Sequence, residues 1–404
     1  MGGDRLRITH VIRAKPPGEL GGAEMHLFDL TTAQVAQGHD VRVIFLGPAE
    51  ISGTMQERGI ATLQTESMSM VEWLRALRSA LRADPPDVLH SHGYRADIIA
   101  MVVRPLTRGV PRWTSVITVH GFLRTSFGLR VLSRLNECVL RWADVVIAVS
   151  SAETRRLTQL LRRPVVFVPN GVARVELVPR AQAVAKLGSD PSRRLVAFVG
   201  RLSPEKRPDL FVDMAAIVAR EYPDTDFVVI GSGSLLCETQ ERAAATTGAR
   251  VLFAGLVSNV ASLMGAIDVF VCPSDTEGTP RVVIEAMLAG VPVVATRVGG
   301  VPDLIGDGRT GVLVEPDSPA AVAAAVTRLL GDDARSGVIG ERARAYALDR
   351  FSVEYMADRV SEAYRSRLAG RAVPTPGTTK PPEPRPSDGN GAADSMDGAD
   401  RRPA

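Results

Sequence analysis

The 404-residue chain predicts an α/β fold: two parallel-sheet domains, each covered by helices, facing one another across a cleft. Three observations predict it. Short β-branched runs alternate with longer amphipathic stretches, the pattern of parallel strands joined by crossover helices. The alternation occurs twice, before and after about residue 180. Glycines and charged residues collect just after the strand-like runs, where open α/β sheets bind ligands.

In the first series the runs 7–11, 41–46, 87–89, 115–119, 144–149 and 165–168 read as about six strands. Helical periodicity covers 23–37, where Gly38 is a stop signal, and then 70–82 and 132–142. The second series has strands at 195–199, 226–230, 251–254, 268–272, 292–295 and 311–314. Its helices fall at 208–221, 261–266, 281–289 and 320–330. This places a first domain at 1–175 and a second at 176–350. A helix over 353–369 can be capped by Ser352, and segment 351–370 is expected to pack back on the first domain. Residues 371–404 hold 7 of the 27 prolines and one apolar side chain larger than valine, Met396. Such a tail cannot bury enough apolar surface to fold and is expected to be disordered.

Composition narrows the function classes. With 45% hydrophobic and 23% charged residues, the chain is neither collagenous, coiled-coil nor wholly disordered. No apolar run reaches the roughly 18 residues of a membrane span. Residues 1–18 carry Asp4, Arg5, Arg7, Arg13 and Lys15 and lack an apolar centre, so a cytoplasmic location is expected. Cys138, Cys237 and Cys272 form no CxxC and read as small buried apolar residues. Residues 1–175 hold 22 Lys+Arg against 15 Asp+Glu, whereas 176–370 hold 21 against 25. The basic half suits an anionic partner such as a membrane surface or a phosphorylated acceptor, and equally an ordinary arginine-rich surface. No nucleic-acid partner is expected.

The chemistry concentrates in 275–292, DTEGTPRVVIEAMLAGVP. Thr279 as N-cap, Pro280 at the first helical position and Gly290 as a left-handed stop delimit a helix of about ten residues. Glu285 interrupts its apolar run. A carboxylate there needs hydrogen-bond donors, and ligand hydroxyls supply them as well as a buried backbone group or arginine would. Glu277 lies in the preceding turn, and Gly278 lets a ligand approach the backbone at a helix start suited to phosphate.

These residues resemble the retaining glycosyltransferases of family 4, which have two Rossmann-like domains in the GT-B architecture. The resemblance rests on Glu277 and Glu285, on Ala286-Met287, and on Gly290-Val291-Pro292-Val293-Val294-Ala295-Thr296 followed by Gly299-Gly300-Val301-Pro302. It extends to Gly200-Arg201-Leu202 with Lys206, Pro169-Asn170-Gly171-Val172, Ser150 and Gly21-Gly22-Ala23-Glu24, in the family's order over nearly all of 5–370.

The resemblance implies a nucleotide-sugar donor, UDP- or GDP-linked, held mainly by the second domain. Glu285 would bind the ribose, Glu277 the transferred sugar, and Arg201 and Lys206 the pyrophosphate. His120 would contact the donor sugar. Gly21 and Gly22 would bring backbone N–H groups to the phosphates, while Gly231 and Gly233 would pass close to the nucleotide and Gly278, Thr279 and Pro280 would shape the donor site. His92, Tyr94 and Arg95 are candidates for the acceptor side, where a glycan, lipid-linked or small-molecule acceptor is expected. No cofactor or metal is implied. Taken alone, Lys206 also reads as a solvated lysine and Gly231-Ser232-Gly233 as a common turn. Two departures matter: Ala173 stands where the family often has Asp, and Gly278-Thr279-Pro280 lacks the usual Phe. The implied mechanism is front-face substitution. Readings weighed against it are a sugar-nucleotide epimerase or a phosphorylase on the same scaffold, and a silent nucleotide-sugar-binding subunit. The stretch 123–142 suits either an anionic lipid surface or a core-packing helix with a basic edge.

Overall fold

Strands buried on both faces carry each sheet, as parallel pairing with helices on either side requires. The structure, a computed structural model, describes residues 5–14, 21–66, 69–107, 109–120, 127–246 and 248–372. The first sheet contains β1 (Arg7–Arg13), β2 (Asp40–Leu46), β3 (Ala61–Gln64), β4 (Val88–His92), β5 (Thr114–Val119), β6 (Val145–Ala148) and β7 (Val166–Phe167). Their order is β3-β2-β1-β4-β5-β6-β7, and every pairing is parallel. The second contains β8 (Arg194–Val199), β9 (Thr225–Ile230), β10 (Arg250–Gly255), β11 (Val269–Cys272), β12 (Val293–Thr296) and β13 (Val312–Val314), in the order β10-β9-β8-β11-β12-β13. Each order reverses once, at β1/β4 and at β8/β11. Those switch points open the crevices where such sheets bind ligands.

The sequence predicts one strand fewer in the first sheet. It misses β3, an edge strand whose residues ATLQ are mostly exposed and carry no apolar run. The segment 261–266 is a 3₁₀ helix, Val260–Ala266, rather than an α-helix. The first-domain helix from Phe127 ends at Val139, and Leu140–Trp142 continues as 3₁₀. Residues 123–126 of the basic stretch, and 373–404 of the tail, lie outside the described residues. Cys138 and Cys237 are exposed, contrary to the expectation of burial, and Cys272 alone is buried.

Helix Val353–Leu368 belongs spatially to the first domain. Ser352 caps it, accepting from the Tyr355 N–H, and Val353, Met356, Val360 and Tyr364 join the cluster of Ile8, Val88, Val116 and Val145. The chain therefore crosses between domains twice. The two crossings touch where the Val172 N–H donates to the Phe351 carbonyl at 2.9 Å. Gly171 makes this contact feasible, because a Cβ there would lie 2.5 Å from the Ser352 oxygen.

Helix Asp333–Arg350 has no strong apolar stripe and instead buries Ser336, Gly340, Ala343 and Ala347. Small residues bring it close to its neighbour: a Cβ on Gly340 would stand 2.0 Å from the Gly290 carbonyl.

Candidate active site

A cleft of about 770 Å³ lies between the two switch points. From the second domain it is lined by Val199, Gly200, Arg201, Glu205, Lys206, the turn Thr276–Gly278, Pro280, Arg281, Val282, Glu285 and Gly299. The first domain contributes Gly21, Gly22, Met25, His120, Ser150, Ala152, Glu153 and Arg156. Each group follows a strand end, so the sheets themselves bring the two sets together.

The turn after β11 holds Glu277. Its Oε1 accepts from Lys206 Nζ at 2.6 Å and from Ser274 Oγ at 2.7 Å, with the Cys272 thiol at 3.7 Å. Its Oε2 makes no hydrogen bond among the described residues. Burial pulls the Lys206 ammonium down, but the adjacent Glu277 carboxylate outweighs it, and the net shift is upward. Burial, reinforced by Glu277, pushes the Cys272 thiol up to about 12, so it stays protonated and acts only as a weak donor. Two glycines fix the turn: a Cβ on Gly299 would stand 1.8 Å from the Glu277 carbonyl, and one on Gly278 2.5 Å from the His120 carbonyl. The second contact joins the two domains at the cleft.

The following helix is Arg281–Leu288, and its start differs from the sequence expectation. Pro280 is the N-cap, and Thr279 is not. The Thr279 hydroxyl donates across the domains to the Val149 carbonyl, and the Thr279 carbonyl accepts from Asn170 Nδ2 at 2.8 Å. Thr279 is thus buried as an interdomain tie and does not line the cleft. Arg281 completes the tie, donating to Asp29 Oδ2 at 2.6 Å and to the Gly171 carbonyl at 2.8 Å. Burial still pushes Asp29 upward, against the pull of Arg281. One turn on, the Glu285 carboxylate makes no hydrogen bond among the described residues, and burial raises its pKa despite Arg281. Gly290 takes the left-handed conformation expected of it, with φ of 78°.

Arg201 is exposed at the cleft, and its guanidinium has no ion-pair or hydrogen-bond partner among the described residues. Gly231 and Gly233 do not line the cleft. A Cβ on either would strike the 200–202 backbone, at 1.9 Å from the Gly200 carbonyl and 2.3 Å from that of Leu202. They therefore seat the loop that presents Arg201. Gly21 and Gly22 line the cleft at the start of helix Gly22–Ala36, but the Gly21 N–H already donates to Glu24 Oε2 at 3.2 Å.

On the first-domain side His120 faces the cleft, and behind it stand four further histidines. His92 is 1% exposed, its Nδ1 lies 3.3 Å from His120 Nε2, and its Nε2 lies 3.0 Å from His10 Nδ1. It supports His120 and does not reach an acceptor, which corrects the expectation for it. Tyr94 and Arg95 begin the helix after β4 and are not among the residues lining the cleft. The triads His10/His90/His92 and His26/His92/His120 each bring nitrogens within 4.8 Å of one another, so distance alone would let either hold a metal ion. The sequence reading missed Glu153 and Arg156, bound to each other at 2.7 Å, and the Asp29–Arg281 pair. The i,i+3 spacing of the first pair was a readable signal; the second joins residues 252 positions apart and left none.

Comparison with known proteins decides the family. Residues 20–174 match the model described as Glycosyltransferase Family 4, and residues 193–332 the model described as Glycosyl transferases group 1. An alpha-maltose-1-phosphate synthase of Mycolicibacterium smegmatis is 30% identical over 392 residues, covering 89% of this chain and 99% of that one. The chain belongs to glycosyltransferase family 4. A lipopolysaccharide core biosynthesis mannosyltransferase, LpsB of Rhizobium meliloti, is 31% identical to this glycosyltransferase over 90% of its chain and 99% of the relative. The structure of Anabaena Alr3699/HepE in complex with UDP and glucose superposes with a TM-score of 0.76 at 20% identity, covering 90% and 100% of the two chains. That likeness establishes the two-domain GT-B fold.

Proposed function

We propose that this glycosyltransferase moves a sugar from a UDP- or GDP-sugar to a glycan, lipid-linked or small-molecule acceptor, with retention of anomeric configuration. The carrying observation is the polarisation of the cleft wall. Arg201 and the Lys206–Glu277 pair offer cations that suit a diphosphate, and the unpartnered Glu285 carboxylate stands one helix turn beyond Arg281. Departure of a nucleoside diphosphate builds negative charge, which fixed cations stabilise in a site shielded from water. Glu285, an acceptor only, suits ribose hydroxyls, and Glu277 Oε2 suits a sugar hydroxyl. The names of the relatives and the UDP and glucose of the Anabaena structure support such a donor.

In the reading we favour, the acceptor oxygen bonds to the anomeric carbon on the face that the phosphate leaves. The carbon–phosphate-oxygen bond breaks, and the departing phosphate oxygen takes the acceptor's proton. No metal enters this scheme, so activity is expected to persist after treatment with a chelator. The deciding assay follows nucleoside diphosphate release from a panel of UDP-, GDP- and ADP-sugars by wild type and Glu285→Ala. Release from one donor, lost in the variant, supports the reading; donor binding without turnover with any acceptor would favour a silent binding subunit. An isolated covalent glycosyl-enzyme would overturn the front-face scheme.

The first domain also carries an exposed stripe of apolar and basic side chains. Val131, Leu135 and Trp142 are 44%, 54% and 64% exposed, and exposed Arg134 and Arg141 lie on the same face. Among the described residues no helix is long and apolar enough to cross a membrane. Such a basic, apolar face suits peripheral contact with anionic lipid. Flotation with anionic but not neutral vesicles, lost in Leu135→Ser/Trp142→Ser, is the expected result, and equal behaviour on both vesicle types would remove the idea.

A further inference from the structure

Behind His120 the first domain buries a continuous chain of polar side chains. Gln34 Oε1 lies 2.8 Å from His10 Nε2, His10 Nδ1 lies 3.0 Å from His92 Nε2, and His92 Nδ1 lies 3.3 Å from His120 Nε2. Gln34 and His10 are fully buried, and His92 is nearly so. Burial holds His10 down at about 4 and His92 well below its ordinary value, so both rings are neutral near pH 7. A neutral imidazole carries one N–H and one lone pair, so each ring must pass on the direction it receives.

With the Gln34 oxygen facing His10, one direction follows. An amide oxygen can only accept, so His10 carries its proton on Nε2 and offers the Nδ1 lone pair. His92 must then donate from Nε2 and accept at Nδ1, and His120 must donate from Nε2. The other end of the Gln34 amide continues the array through hydroxyls, which can donate or accept. Its Nε2 donates to the Tyr364 hydroxyl at 3.4 Å, the hydroxyl lies 2.5 Å from His90 Nδ1, and His90 Nε2 lies 2.7 Å from Thr118 Oγ1. Rotating the amide would require every ring in the array to reverse with it. Tyr364 sits on helix Val353–Leu368, the segment that returns from the second domain, so the end of the chain helps fix a ring at the cleft.

We propose that Gln34 is a positioning residue that, with Tyr364 as its anchor, fixes the tautomer of His120 through His10 and His92. His120 then carries its proton on Nε2, and its Nδ1 is an acceptor. An acceptor nitrogen takes a sugar hydroxyl and disfavours a phosphate oxygen, so the tautomer decides which part of the donor the ring can bind. The kinetic consequence rests on the proposed donor chemistry; the tautomer itself does not.

The test is long-range ¹H–¹⁵N correlation of the histidine side chains in the full chain, with His120 assigned from the loss of its signal in His120→Gln. Wild type is expected to show a single Nε2–H tautomer at His120. Gln34→Leu removes the directing oxygen and should populate both tautomers, with kcat for donor turnover falling about tenfold and donor KM within twofold, as for a small misplacement of a contacting group. Tyr364→Phe should give the same change in smaller measure, and it serves if Gln34→Leu does not fold. A His120 that keeps one Nε2–H tautomer in both folded variants overturns the proposal. So does an Nδ1–H tautomer in the wild type. Wild type inactive with every donor, but with the expected tautomers, would sink the donor reading and leave the relay standing.

Discussion

The two walls of the cleft are built on opposite electrostatic principles. The second domain presents charge: Lys206 against Glu277, a free Arg201 and an unpartnered Glu285. The first presents the imidazole of His120, with His92 and His10 behind it pushed down by burial, and its charged residues Glu153 and Arg156 are paired with each other. On the proposed donor chemistry, fixed charge suits a leaving diphosphate and the imidazole side suits an uncharged sugar. The two walls are tied by polar contacts at their edges, among them Arg281 to Asp29 and the Ser151 N–H to Asp303.

Four substitutions test that contrast, the largest effect first. Lys206→Ala leaves Glu277 with Ser274 and the Cys272 thiol as its donors and removes a cation from the second-domain wall. Turnover should fall about 10²–10³-fold, the range for losing a transition-state donor; a loss below tenfold in steady-state kinetics would take charge stabilisation away from this wall. Asp29→Ala strands Arg281 between the domains, where the pair is 8% and 11% exposed. A loss of about 3 kcal/mol in denaturant unfolding is expected.

Third is Glu285→Gln, which keeps the shape and removes the charge. Donor affinity measured by calorimetry should fall about tenfold, roughly one charge-assisted hydrogen bond. Because burial raises the Glu285 pKa, wild-type affinity should weaken as pH falls through that raised value, while the variant stays flat. The fourth prediction concerns a buried carboxyl group of the first domain. Burial pushes Asp97, on the first-domain helix Tyr94–Leu106, up to about 7 from 3.8, against the hydrogen bond from Ser91. A folded-state pKa above the unfolded one means that the folded chain binds the proton more tightly. The associated stability is complete below about 4 and is lost as pH rises through about 7. Wild type should melt lower at pH 8 than at pH 6, and Asp97→Asn should narrow the difference.

Much of this architecture was legible in the chain. All six second-domain strands could be placed because buried parallel strands are continuous β-branched runs between glycines. Edge strand β3 could not, since ATLQ carries no such run. The cleft residues Glu277, Glu285, Arg201 and Lys206 were readable because they interrupt or follow strand and helix signals within a few positions. Thr279 was misread because a cap inferred from neighbours takes no account of a carbonyl from the other domain, that of Val149. Gly231 and Gly233 were misread for a related reason: a glycine needed for loop-on-loop packing looks the same as one needed for a ligand.

The sequence by itself determined the two sheets, the placing of charged groups after their strands, and the family. These depend on local periodicity and on residue types a few positions apart. Only the tertiary structure decided that Lys206 and Glu277 share a hydrogen bond across 71 positions, that His92 stands behind His120, and that Tyr364 closes a chain begun at Gln34 across 330. Hydrogen bonds and burial act through space, and in parallel sheets each crossover places residues distant in sequence on neighbouring strand ends.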